Sequence, residues 1–265
     1  MPNKRWRLTR YLFKEQLQYL GWSYLAIIVL ATVFPFLMAV LNGTLSTFSW
    51  RSHLSGLGIG AIFGFFIFIV GLQNYDNFKL FIQNGISRRT YWLARVTNLL
   101  IMSAVGVLLA IINDFAISAP LLRLDVFGLL AHGPYEMYAK FFGDNVFLTV
   151  TIYMLFLWLL FVTLGLLAMA ISSIMVLFSK TVQRLIYIVV PVLAIFLLAF
   201  VASAAVKTQG SAGTLALQRF VKWLLGYHQT LGLFNPFMPM MTMVVASLIL
   251  AMLAYGFNRK LKLKN

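Results

Sequence analysis

Six apolar runs, each near the length of a bilayer crossing, constrain this chain more than any motif does. They are Trp22–Leu41, Ser55–Leu72, Tyr91–Ile112, Val146–Phe178, Leu185–Val206 and Phe237–Phe257. A helix needs about 20 apolar residues to cross the hydrocarbon core, and five of the runs meet that length without adjustment. Val146–Phe178 is too long for one crossing and too short for two with a turn. It reads as one long helix, bent at Gly165 or protruding on one side. With 62% apolar and only 10% charged residues in 265, one soluble core could not bury the apolar surface. Strands of an outer-membrane barrel would alternate over about ten residues, and these runs do not. The expected fold is therefore an all-α integral membrane protein, a single transmembrane domain over residues 1–265 with six spans.

Lys and Arg distribution orients the spans. With both termini in the cytoplasm, the inner segments hold Lys4, Arg5, Arg7, Arg10 and Lys14, then Lys79, Arg88, Arg89 and Arg95, then Lys180 and Arg184, and finally Arg259, Lys260, Lys262 and Lys264. The outer segments keep Arg51, Arg123, Lys140, Lys207, Arg219 and Lys222. The net charge of +15 is then a positive-inside bias rather than a nucleic-acid footprint. The chain has no cysteine, so disulfides and thiolate chemistry are excluded. The basic amino terminus leads into a run of full span length with no small-residue cleavage site, so no removable signal peptide is expected.

Residues 3–20 place Thr9, Phe13, Gln16, Leu17 and Leu20 on one helical side and Arg7, Arg10 and Lys14 elsewhere. That pattern suits an interfacial helix over residues 1–20, with Trp6 and Tyr11 at headgroup depth, or a simple basic tether.

Between the second and third runs lies a polar, basic island, Gln73 to Arg95. Tyr75–Gln83 can form a short helix, closed where Asn84-Gly85 supplies a left-handed residue. Ser87 offers an N-cap for the next helix, and Ile86 can staple onto Tyr91. Arg88 and Arg89 at that helix start oppose its dipole, so local stability does not explain them. They either fix topology or dock on an acidic surface, with Phe78, Leu80 and Phe81 as the apolar part of the contact.

This island, an aromatic helix followed by NGISRRTYWLAR between the second and third of six spans, resembles the permease subunits of type-2 ATP-binding-cassette (ABC) transporters. The resemblance implies a cytoplasmic coupling helix seated in a separate ATPase subunit, with Phe78, Leu80, Phe81, Gly85, Ser87, Arg88 and Arg89 as the coupling residues. It also implies a second permease subunit, like or unlike, and a bacterial plasma membrane. ATP and Mg would be bound by the partner ATPase and no cofactor by this chain, which has no GxxxxGK[ST] loop. The function implied is export of an amphipathic or lipophilic cargo, such as a peptide, an antimicrobial or a lipid-like molecule. The alternatives are the membrane component of an uptake ABC system, although the Ala-Arg-Gly coupling motif of those proteins is absent, and a non-transporting membrane scaffold.

Gly56, Gly60 and Gly64, with Gly71 one heptad on, form a strip for close helix packing, within the subunit or between subunits. Asn98, Thr149, Thr151 and Thr163 are candidate pathway residues, joined by Ser103, Ser172 and Ser173; each hydroxyl can equally bond its own helix backbone. Catalytic and metal-ligating patterns are not found: His53, His132 and His228 are scattered, and Asp114 is placed at the outer end of the third span, where a solvated carboxylate costs little. Residues 115–144 form a polar outer loop with short helices. Before the last run, Leu217, Phe220, Val221, Leu224 and Leu225 make an apolar stripe ending near Gly226, re-entrant or surface-lying.

Overall fold

The computed structural model of the chain describes residues 4–50, 58–73, 75–130, 135–179, 181–183, 185, 189, 219–228 and 232–260. Helix α1 is Lys4–Leu41, α2 Ile59–Leu72, α3 Tyr75–Gln83 and α4 Arg88–Ile111. A π-helical stretch, Ile112–Ser118, continues α4 into the short α5, Ala119–Leu122. Then come α6, Val126–Leu130, α7, Val146–Met175, and α8, Phe237–Lys260.

Among the described residues, four helical rods are long and apolar enough to cross a membrane: Lys4–Leu41, Arg88–Leu122, Val146–Met175 and Phe237–Lys260. The protein is accordingly helical and membrane-embedded. Two of the six expected spans are not among these rods. Ile59–Leu72 has 14 residues and rises only about 21 Å, against a hydrocarbon core of about 30 Å. It reaches span length only when joined with Asn77–Gln83 across a 46° bend. The expected span Leu185–Val206, apart from Leu185 and Val189, and the residues Gly56, His53, His132 and Leu217 lie outside the described residues.

The expected interfacial helix over residues 1–20 is not a separate element. Lys4–Leu41 is one helix of 38 residues, because Gly21, the one weak helix former at the junction, costs only about 1 kcal/mol. Long-range contacts hold the amino-terminal half in line. Leu8 and Leu12 are buried against Phe78, Tyr91 and Ala94, and Leu20 joins the main core. Arg5 donates to the Thr97 hydroxyl, and Gln16 accepts from the Asn98 amide at 2.7 Å. The buried face thus runs through Leu8, Thr9, Leu12 and Leu20, while Leu17, assigned to it from the sequence, is exposed.

The third apolar run also extends further than its pattern suggested. Pro120 has no N–H to close an ordinary turn, and the wider π turns before it carry the rod on to Leu122 before Arg123 ends it in the left-handed region at φ 56°. Asp114 is therefore inside a helical rod rather than at a span end. Its carboxylate accepts a 2.9 Å hydrogen bond from the Tyr153 hydroxyl on α7.

α7 is one helix of 30 residues with no break at Gly165. At about 45 Å it is longer than the hydrocarbon core, as a protruding helix must be. It packs centrally, against α2, α4 and α8, and half of its apolar window is buried. Gly165 gives its space to Leu99 of α4 instead of bending. Among the described residues, a departure from an all-α chain occurs beside Gly226 (φ +78°): β1, Tyr227–His228, pairs antiparallel with β2, Leu233–Phe234.

The glycine strip works within the subunit, but its tight point is elsewhere than expected. A Cβ on Gly60 or Gly64 would meet its nearest neighbours, Ala110 and Leu164, at an ordinary 3.5 Å. One on Gly71 would lie 2.6 Å from the Ala168 Cβ and 3.0 Å from the Gly165 carbonyl oxygen. The close crossing of α2 on α7 is set by Gly71 against Ala168 and the Gly165 carbonyl.

Candidate functional site

The starts of α1 and α4 and the ends of α2, α7 and α8 meet at one end of the bundle, which carries Lys4, Arg5, Arg7, Arg10, Arg88, Arg89, Arg259 and Lys260. α3 lies across this basic end. Its last turn closes as the sequence suggested: the Ile86 N–H donates to the Phe81 carbonyl and the Gly85 N–H to that of Ile82, both at 3.1 Å, with Gly85 at φ +76°. This pair of bonds satisfies two orphan carbonyls and needs a residue without a Cβ penalty at Gly85. Ser87 then caps α4, its hydroxyl accepting from the Thr90 N–H at 3.1 Å.

The amphipathic α3 divides the expected coupling residues into two groups. Phe78 is fully buried among Leu8, Leu12, Tyr91 and Ala94, and Phe81, half-buried, meets Tyr11 edge-on at 5.7 Å. These two rings fasten α3 to α1 and α4, Phe78 wholly inside and Phe81 in part. Leu80 is 48% exposed, and Gly85, Ser87 and Arg89 are exposed beside it. Arg88 is intermediate: its guanidinium donates to the Arg259 carbonyl at the end of α8 and lies 5.9 Å above the Phe78 ring. A cation at a helix carboxyl end and over an aromatic face is favourable on both counts. The outward surface is thus a short elbow of Leu80, Gly85, Ser87 and Arg89.

Behind the elbow sits a polar cluster that joins Arg95, expected only as a topology charge, to the pathway candidates Asn98 and Ser172. Arg95, 8% exposed, donates to the Gly71 carbonyl at 3.1 Å, and Ser172 of α7 donates to the Leu72 carbonyl at 2.7 Å. Two of the carbonyls left open at the end of α2 are satisfied in this way. Arg95, Asn98, Gln16 and Gly71 also line a small cavity of about 20 Å³. The available signal was a lone arginine about one turn inside an apolar run, which must find acceptors.

The candidate pathway residues do not gather along one route. Asn98 is occupied with Gln16 near the basic end. Thr149 and Thr151 bond the carbonyls of Asn145 and Phe147 in the first turns of α7. Thr163 bonds its own Leu159 carbonyl and meets Ser247 of α8 at 2.9 Å. Ser173 bonds Met169, while Ser103 is buried without a hydrogen bond. Most of these hydroxyls serve helix backbone and helix contacts.

At the opposite end, Tyr135 and Tyr138 are buried with Tyr153 and Phe156, and the Tyr138 hydroxyl donates to the Leu225 carbonyl at 3.2 Å. Burial pushes both phenols above their usual range. Of the apolar stripe assigned before the last run, 219–224 is helical, and Phe220 and Val221 are exposed. Comparison of the chain with protein-family models, with curated proteins and with solved structures finds no match.

Proposed function

We propose that this chain is the membrane subunit of an ATP-driven transporter, an ABC permease in which the elbow at the basic end docks on a cytoplasmic ATPase. One observation carries the reading. The Gln73–Arg95 island is a short helix with a glycine-closed turn and a capped helix start, fastened inward by Phe78 and Phe81, with Leu80 and Arg89 left outward. A topology signal needs only the charge. A rigid, internally fastened elbow with an apolar residue and a cation on its outer side also suits repeated contact with an acidic groove. The reaction assigned to the partner is hydrolysis of ATP with Mg. The cargo assigned to the chain is amphipathic or lipophilic, in keeping with spans whose polar groups are mostly bonded to backbone or to one another, and the direction assigned is export. A second permease subunit and a bacterial plasma membrane with both termini inside belong to the same reading.

The test is a pull-down of tagged full-length chain from its native membrane, with the eluate assayed for ATPase activity. Wild type is compared with Leu80→Glu plus Arg89→Glu, two exposed positions whose change leaves the Phe78 cluster intact. Co-purification of an ATPase with wild type and its loss from the variant at equal expression supports docking through the elbow. A wild-type eluate without ATPase removes the reading and favours the non-transporting scaffold.

A further inference from the structure

A groove of about 760 Å³ runs between α1 and α2. Its walls include Trp22 and Ile27 from α1 and Ala61, Phe65 and Ile69 from α2, and its end toward the basic face is marked by Tyr19 and Gln73. Toward the far end the Tyr24 hydroxyl donates to the Ile59 carbonyl at 3.2 Å. Toward the basic end α3 crosses to α1, where Tyr11 meets Phe81.

We propose that this groove holds one acyl tail of a membrane lipid, from the leaflet nearer the basic end. Both α1 and the bundle it packs on are membrane-embedded, so a laterally open groove in this region faces hydrocarbon rather than water. Left empty, its lining would forgo dispersion contacts, and water cannot compensate them in an apolar lining. The dimensions fit. From Ala61 to Gln73 along α2 is about 18 Å, and one leaflet of a hydrocarbon core about 30 Å thick is about 15 Å deep. The polar groups fall mostly where a lipid changes character: Gln73 and the Tyr19 hydroxyl, which donates to Glu15 at 3.3 Å, stand at the basic end, and the walls beyond are apolar apart from Ser23. Tyr19 and Trp22 are the residue types that sit at headgroup depth. In a bilayer the retaining force is packing, since lipid and protein surfaces are equally apolar. A groove walled by two helices therefore retains a tail longer than the convex face of α8 does.

The experiment reconstitutes the full chain in phosphatidylcholine vesicles carrying a small fraction of phosphatidylcholine with a photoactivatable diazirine in mid-tail. Adducts are then mapped by peptide mass spectrometry. The internal reference is the exposed face of α8, with Met241, Val245 and Met252. The expected result is several-fold denser labelling of the peptides bearing Tyr19–Ile27 and Ala61–Gln73. Ala61→Trp, which fills the groove from an exposed position, should reduce this labelling to the α8 level. Val245→Trp should not, and thermal unfolding of both variants reports intact folding. Equal labelling of groove and α8 in wild type would overturn the proposal, since the groove would then be ordinary lipid-facing surface. Unlabelled groove peptides that cross-link between copies would overturn it too, because a second chain would be the occupant. If Ala61→Trp unfolds, Ala61→Leu serves as the partial filler, and undiminished labelling there counts against the proposal.

Discussion

Arg95 of α4 reaches across to the carbonyl oxygen of Gly71, 24 positions earlier in the chain, and bonds it at 3.1 Å at the point where α2 ends. The charge lies at a helix carboxyl terminus, where the dipole favours a cation, and almost out of contact with solvent. Removing it leaves a buried carbonyl with fewer donors. Arg95→Met should therefore lower stability by about 1.5–3 kcal/mol, the range for hydrogen bonds to charged groups. Arg95→Lys should recover part of that loss. Denaturant titration of the purified full-length protein in detergent checks both, and equal stability of Arg95→Met and wild type would remove the capping role.

The α2–α7 crossing separates glycines that look alike in sequence. Gly71→Ala forces a Cβ to 2.6 Å from that of Ala168 and should cost about 1–3 kcal/mol. Gly64→Ala meets Leu164 at 3.5 Å, so its cost should stay within about 0.5 kcal/mol. The same titration distinguishes them, and Ala168→Gly should relieve the Gly71→Ala variant.

In the elbow, stability and docking are predicted to divide between neighbours on α3. Phe78→Ala empties the small core it shares with Leu8, Leu12 and Tyr91 and should destabilise the protein by about 3–5 kcal/mol. Leu80→Ala, at an exposed position, should leave stability within about 0.5 kcal/mol while reducing capture of the ATPase.

The turn itself can be tested by amide hydrogen exchange over residues 75–95. Ser87→Ala loses the bond to the Thr90 N–H and should weaken the start of α4 by about 1 kcal/mol. Gly85→Ala places a Cβ at φ +76° and should cost a similar amount, about 1–2 kcal/mol. Faster exchange confined to this segment is the expected pattern.

Tyr135 is fully buried, and its hydroxyl makes no hydrogen bond. Tyr135→Phe should thus be neutral or stabilising by up to about 1 kcal/mol. The phenol's pKa is raised in the folded protein by burial, with the neighbouring Tyr138 adding to the effect. Its contribution is fully present below the unfolded value of about 10 and is lost as pH rises past it. Tyr135→Phe should flatten this alkaline loss, read as thermal unfolding temperature against pH above about 10.

What could be read from the sequence was what depends on neighbours within a turn or two, or on length. Runs near 20 apolar residues made the chain a helical membrane protein, since backbone groups in lipid must bond within their own helix. Gly85 and Ser87 marked the turn and the cap because a positive φ and a short hydroxyl are local requirements. What only the tertiary structure decided involves partners dozens of residues away. Leu8 and Leu12 pack on Tyr91, so the amino-terminal segment continues α1 instead of forming its own interfacial helix. Phe78 turns inward while Leu80 stays out, and Gly71, rather than Gly60 or Gly64, sets the close crossing. Arg95, counted in sequence among the topology charges, caps α2, and only packing supplies the acceptor. Hydrophobic periodicity specifies that a helix has an apolar face; which neighbour that face meets is settled by packing among all the helices together.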